Sequence, residues 1–133
     1  MKYFLDTNTI IYAIKGTYPN MAYHFKSVPK ETIVIPNIVL AEIEYGARKS
    51  KNYKKTIEKY IEFTNYFDLG YFDKNAIISY GKIRAELEKT GHLIGPNDLI
   101  IASIVIANDG ILVTHNTKEF ARVSELRIED WTQ

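Results

Sequence analysis

The chain has no cysteine, which excludes disulfides and thiolate metal sites. It has no run approaching the roughly 20 uncharged apolar residues that cross a bilayer. Its first residues carry one lysine and then Asp6, without the long apolar stretch and small-residue cleavage site of a secretory leader. These absences lead to the expectation of a cytoplasmic protein with no membrane partner. There is no internal repeat, no low-complexity tract and no Walker-type glycine-rich phosphate loop. No Ser-His-Asp arrangement can be argued from the residues. Neither sign of charge dominates: 17 Lys and Arg stand against 16 Asp and Glu, so a nucleic-acid partner has to be argued from local charge.

What is present is the composition of an ordinary globular chain. At 133 residues, 46% apolar and 25% charged, it suits one domain, 1–133, around one core. The segment "KYFL" reads as a short buried strand, Lys2 to Leu5, and "TNTIIYAIKG" as a helix with Ile10, Ile11 and Ile14 at helical spacing, closed by Gly16. A second short helix is expected from Pro19 to Ser27. The β-branched "TIVIP" gives a buried strand, Thr32 to Ile35. In the helix that follows, Pro36 suits the first turn, and Ile38, Glu42 and Tyr45 fall on one face. "NYKKTIEKYIEF" continues as helix with Ile57, Ile61 and Tyr60 inward, and "YFDLGYF" is a strand candidate. A long helix runs from its N-cap Asp73 to Gly91, with Ile77, Ile78, Ile83 and Leu87 as its buried stripe. The helix "PNDLIIASIVIAND" is nearly devoid of polar residues after Asp98 and belongs in the core. "GILVT" and "RIEDW" complete the strands. Alternating strands and helices imply an α/β fold with a mostly parallel central sheet of four to five strands, covered on both faces. In such sheets the ligand crevice lies at the C-terminal strand ends, near a topological switch point.

Acids gather at those positions. Asp6 follows the first strand directly, between two apolar runs that must both be buried. Asn116 comes two residues after "ILVT", Asp98 sits in the first turn of the apolar helix, and Glu42 lies in the helix after the second strand. If those strands are neighbours, three carboxylates and an amide converge. That donor set suits a hard divalent cation, which activates water and stabilises a phosphoryl transition state. Each residue also has a plainer reading. Asp6 can cap a helix, and Asn8 and Thr9 can be caps or donors to the site. Asp98 can be a first-turn charge favoured by the helix dipole, worth about 0.3–1 kcal/mol. Glu42 can be solvated, although its face favours an inward direction, where an acid needs a partner. Asn116 and Glu119 have the spacing of a capping box.

The histidines carry less. His115 adjoins the site without a second histidine at ligand spacing, and His24 and His92 are expected on the surface. The run "RKSKNYKKTIEK" bears Arg48, Lys49, Lys51, Lys54, Lys55 and Lys59 against Glu58. It is either a solvated helix face, a phosphate-backbone contact or a docking surface for an acidic partner.

Taken together, "FLDTNTIIYAIKG", "PNIVLAEIEYGARKS" and "IGPNDLIIASIVIANDGILVTHNTKEFARVSELRIEDW" resemble the PIN-domain family, and within it the VapC-like toxins of bacterial toxin–antitoxin pairs. The resemblance spans nearly the whole chain and is most specific from Ile94 to Trp131. It implies a three-layer α/β/α sandwich, a Mg²⁺- or Mn²⁺-dependent endoribonuclease, a homodimer, and an antitoxin protein that covers the site or inserts a basic side chain into it. By the same resemblance, Asp6, Glu42 and Asp98 are the metal-binding acids and Glu42 handles the attacking water. A fourth position, often Asp in the family, is Asn116 here, with Glu119 near enough to compensate and Thr117 able to supply a hydroxyl. Arg84 and the lysine run are the candidates for RNA contact. The competing expectation is a catalytically degenerate protein- or RNA-binding module, favoured by Asn116; a phosphatase or a DNA nuclease would use the same acidic chemistry.

Overall fold

The computed structural model describes residues 1–133. The first strand, β1 (Tyr3–Leu5), ends at Asp6, whose side chain caps α1 (Thr7–Lys15). Lys15 gives way to Gly16, held at φ 66°, a left-handed conformation that costs a glycine nothing and lets the helix end there. Pro19 opens α2 (Pro19–Ser27), and a single 3₁₀ turn, Lys30–Thr32, leads into β2 (Ile33–Pro36). Helices α3 (Asn37–Lys49) and α4 (Tyr53–Thr64) follow, then β3 (Asp68–Gly70) and α5 (Lys74–Thr90), capped by Asp73 through Ala76 N. Apolar α6 (Pro96–Ala107) precedes β4 (Ile111–Val113), and the chain ends with a one-turn helix α7 (Thr117–Phe120) and β5 (Arg127–Glu129).

The five strands form one fully parallel sheet in the order β3-β2-β1-β4-β5. The chain moves from β1 outward to β2 and β3, then returns across β1 to β4 and β5. Because parallel crossovers are right-handed, this reversal sends α5 and α6 to the opposite face from α1 to α4. Side chains alternate accordingly. Phe4 shares its face with Val34 and with Ile104 of α6, whereas Tyr3 packs on Trp131, which in turn meets His24 and Phe25 of α2. Both faces are thereby covered, and Phe4, Leu5, Ile33, Ile35, Leu112 and Val113 are buried. Gly110 is demanded by close approach: a Cβ there would stand 2.5 Å from Phe4 Cε1.

Some helix faces differ from the sequence expectation. The buried stripe of α5 is Ala76, Ile83 and Leu87, while Ile77 and Ile78 are exposed at 52% and 64%. The 3.6-residue period puts Ala76 and Ile83 on the same side, and its two isoleucine neighbours turn away from α6. In α3 the stripe is Val39, Ile43 and Ala47, so Tyr45 faces outward and does not share a buried face with Glu42. In α4, Ile57 and Tyr60 are half-buried but Ile61 is exposed. His24 is half-buried, its ring stacked on Trp131 at 5.5 Å. No helix is long and apolar enough to cross a membrane.

Candidate active site

The return of the chain across β1 creates the topological switch point, and the site forms there. Leu5 pairs with Val113, so the next residues, Asp6 and Thr114, emerge side by side from the C-terminal ends of β1 and β4. Asp6 is only 5% exposed. Its Oδ1 accepts from Thr9 N at 2.8 Å, and its Oδ2 accepts from the Thr114 hydroxyl at 2.6 Å. One oxygen of Asp6 therefore caps α1, and the carboxylate also lines a cleft of about 200 Å³ with Thr7, Asn8, Glu42, Asp98, Asn116 and Phe120.

Glu42 projects from α3, and its Oε1 accepts from the Thr7 hydroxyl at 2.6 Å. Asp98 comes from the first turn of α6. Glu119 reaches back from α7, with Oε1 accepting from Gly95 N at 3.0 Å and Oε2 from Asn116 Nδ2 at 2.9 Å. It thus tethers the loop before α6 and is not part of a capping box. Asn116 gives α7 no side-chain cap, and its backbone N–H donates to Thr114 Oγ1 at 3.0 Å. Thr114 is, with Thr7, a residue that sequence reasoning missed. It is fully buried, donates to Asp6 and accepts from Asn116. Its signal was a threonine at the end of a buried strand, opposite an acid at the end of another. The exposed Thr117 is not among the residues lining the cleft.

The electrostatics follow from this crowding. Burial pushes the Asp6 carboxyl above its ordinary range against the opposing hydrogen bonds from Thr114 and Thr9, and the Glu42 charge adds to the rise. Asp98 is pushed up to about 7, first by burial and then by the charges of Glu119, Glu42 and Asp6. Glu119 is held below its ordinary range by hydrogen bonds from Asn116 and Gly95 N. Near neutral pH, Asp98 therefore keeps a share of its proton and faces an ionised Glu119.

No lysine or arginine lines the cleft to balance these acids. The donor set is all oxygen and amide, which fits a hard divalent cation. No three carboxylate or imidazole side chains stand close enough to form a closed ligand set. Glu42 is turned toward Thr7 and Glu119 toward Gly95. Mg²⁺ takes one or two protein carboxylates and keeps several waters, and Asp6, Glu42 and Asp98 are the carboxylates that line this cleft. A larger cleft, about 710 Å³, lies between α1 and α4, but Ile14, Tyr60, Phe63 and Tyr66 line it beside Lys15 and Lys59, and it assembles no acids beyond Glu62.

The basic residues separate into two groups. Arg84 is bonded to Tyr80 and Glu88, and Arg48 lies over the Tyr53 ring beside Glu44, so both charges have partners. Lys51, Lys54, Lys55 and Lys59 are exposed along and just before α4.

The PIN domain family model matches residues 3–126. The chain is 41% identical to Ribonuclease VapC2 of Rickettsia felis, with 98% of each chain covered. It is 36% identical to the tRNA(fMet)-specific endonuclease VapC of Shigella flexneri, with 99% of each covered. Among solved structures, it superposes on VapBC-1 from nontypeable Haemophilus influenzae with a TM-score of 0.92 and 36% identity, covering all of both chains. The VapBC2 structure from Rickettsia felis, bound to a DNA fragment from their promoter, matches with a TM-score of 0.91 and 39% identity over 98% of this chain and 99% of that one. From β1 to the turn before β5, the sequence, the sheet order and the relatives agree: the chain belongs to the PIN-domain family.

Proposed function

We propose that this chain is a divalent-metal-dependent endoribonuclease and the toxin of a toxin–antitoxin pair. The observation that carries the reading is the meeting of Asp6, Glu42 and Asp98 in one cleft without a basic counter-charge, in a chain whose full-length relatives are named ribonucleases. Asp6 and Asp98 would hold Mg²⁺ or Mn²⁺, with Glu42 completing the acidic surround. When bound, the cation neutralises the crowded acids and stabilises charge developing on the phosphoryl oxygens.

The chain's own groups do the rest. Thr9 N and the Thr114 hydroxyl fix both oxygens of Asp6, so its carboxylate is positioned before substrate arrives. The Thr7 hydroxyl fixes Glu42 through Oε1 and leaves Oε2 to accept a proton from the attacking water. Water adds to the phosphorus as its proton passes to Glu42, the bond from phosphorus to one ribose oxygen breaks, and that oxygen leaves as a hydroxyl with a proton taken from solvent. Asn116 and Glu119 hold the rim together, and Asn116 stands at the fourth acidic position without a charge. The unpaired lysines before and along α4 attract the RNA backbone. Single-stranded RNA is the substrate form, because its bases and backbone are accessible.

The relatives' structures named VapBC motivate a cognate antitoxin as partner. A homodimer is part of the same reading: exposed Tyr71, Ile77 and Ile78 leave an apolar face at the start of α5 that a second copy would cover. The deciding experiment is cleavage of RNA with Mg²⁺, with Mn²⁺ and with EDTA, alongside single- and double-stranded DNA. RNA cleavage that stops in EDTA supports the reading. Equal cleavage of DNA, or cleavage that persists in EDTA, overturns it.

A further inference from the structure

His115 takes no part in the hydrolysis described above, yet it stands between two residues of the site. Thr114 bonds Asp6, and Asn116 lines the cleft. His115 therefore sits on the backbone segment that joins a residue bonded to Asp6 to one that lines the acidic cleft.

The ring is held from behind. Nδ1 lies 2.9 Å from Asp130 Oδ2, and Asp130 Oδ1 accepts from Thr132 N at 3.0 Å and from its hydroxyl at 2.7 Å. The Asp130 side chain is 16% exposed and that of His115 is 43% exposed. A carboxylate at Nδ1 takes the Nδ1–H and leaves Nε2 on the open side. Two tyrosines extend the surface. The Tyr18 ring centroid is 5.6 Å from that of His115, tilted by 47°, and Tyr12 meets His115 edge-on at 6.2 Å. Tyr12 belongs to α1, the helix that Asp6 caps, and with Tyr18 it lines an apolar hollow of about 270 Å³.

A fixed, half-exposed heteroaromatic ring with a polar edge, beside a site for phosphodiester cleavage, offers what an unpaired nucleobase needs: a face to stack on and an atom to hydrogen-bond. We propose that His115, oriented by Asp130 and flanked by Tyr18 and Tyr12, is the stacking platform for the unpaired nucleobase next to the cleaved bond. The proposal rests on the endoribonuclease reading and deepens it. It makes His115 a substrate-positioning residue and gives the protein a reason to reject duplex RNA, whose bases hide their faces.

The test uses short single-stranded oligoribonucleotides carrying 2-aminopurine at successive positions around the cleavage site. Binding is followed by its fluorescence in the Asp6→Asn protein, and cleavage in the protein with Asp6 intact. At one position the fluorescence is quenched on binding. His115→Ala removes that quenching and raises KM about tenfold, the scale of one lost base stack, with kcat changed far less. His115→Phe keeps the ring face and restores both the quenching and most of the KM. If His115→Ala leaves quenching and KM unchanged while lowering Tm, the ring is only a clasp for the C-terminal segment and the proposal fails. If His115→Phe behaves as His115→Ala does, stacking is not the interaction and the proposal also fails. Cleavage by the His115 variants at wild-type kcat, without quenching at any position in any protein, overturns the platform and leaves the nuclease reading standing. Absence of cleavage by the wild-type protein instead overturns the nuclease reading, whatever the fluorescence shows.

Discussion

Replacing Asp6 by Asn separates a catalytic acid from a structural cap. The substitution keeps volume and shape and retains an oxygen for Thr9 N, now 2.8 Å from Oδ1. It places an NH₂ where Oδ2 accepts from the Thr114 hydroxyl at 2.6 Å. The hydroxyl can reverse and accept, but it already accepts from Asn116 N, so one strong bond to a charged group is exchanged for a weaker one. That loss is about 1.5–3 kcal/mol. Against it stands the relief of a buried charge: burial and the neighbouring Glu42 raise the Asp6 carboxyl, and each unit of such a rise means about 1.4 kcal/mol of penalty on the ionised form. The two effects oppose, so Tm should fall by less than the weakened hydrogen bond alone would cost. RNA cleavage should nonetheless fall at least about a hundredfold, since roughly 2.7 kcal/mol of lost transition-state stabilisation suffices for that. Thermal melts in EDTA and single-turnover cleavage in Mg²⁺ measure the two sides. The reasoning is refuted if Asp6→Asn unfolds the protein outright, which would make Asp6 a cap and nothing more, or if it cleaves RNA at near wild-type rates.

Asp98 has its carboxyl raised from 3.8 to about 7, so in metal-free protein its contribution to stability is fully present below pH 3.8, falls as pH rises toward 7, and is gone above. Discounted for partial exposure, the fall is about 1–2 kcal/mol; denaturant titrations in EDTA at pH 5 and pH 8 should show it in the wild type and not in Asp98→Asn, and equal slopes in both would contradict it. Added Mg²⁺ should raise the wild-type Tm by mass action and raise that of Asp98→Asn much less, so an equal rise would place the cation elsewhere. Thr114→Val removes a buried donor and a buried acceptor together, and should cost about 2–3 kcal/mol in denaturant titrations while lowering cleavage; a neutral result would deny that Thr114 holds Asp6. Sedimentation at micromolar concentration should show a dimer that Ile78→Asp converts to monomer, and a wild-type monomer would refute the apolar-face argument.

The sheet was legible because strand ends carry a signal that survives without tertiary information. "KYFL" and "GILVT" are short apolar runs broken by a polar residue, and Asp6 marked the end of the first. Glu42 was expected to point inward on the strength of a face shared with Tyr45. It reaches the cleft, but Tyr45 is exposed, and what receives Glu42 is Thr7, 35 residues away. The exposed pair Ile77 and Ile78 misled for a related reason. Hydrophobicity marks what must be covered but does not say whether this chain or another covers it. Glu119 was legible as an acid near the site, but its bond to Gly95 N spans 24 residues, and no local spacing encodes that. Thr114 escaped notice because a buried hydroxyl declares its role only when the opposing strand is known.

The most direct test of the account is single-turnover cleavage of a single-stranded RNA by the wild-type and Asp98→Asn proteins, each in Mg²⁺ and in EDTA. The account predicts cleavage by the wild-type protein in Mg²⁺ alone, with the rate of Asp98→Asn reduced at least about a hundredfold. Equal cleavage by both proteins, or none by either in any divalent metal, would contradict it and leave a binding module as the better description of the fold.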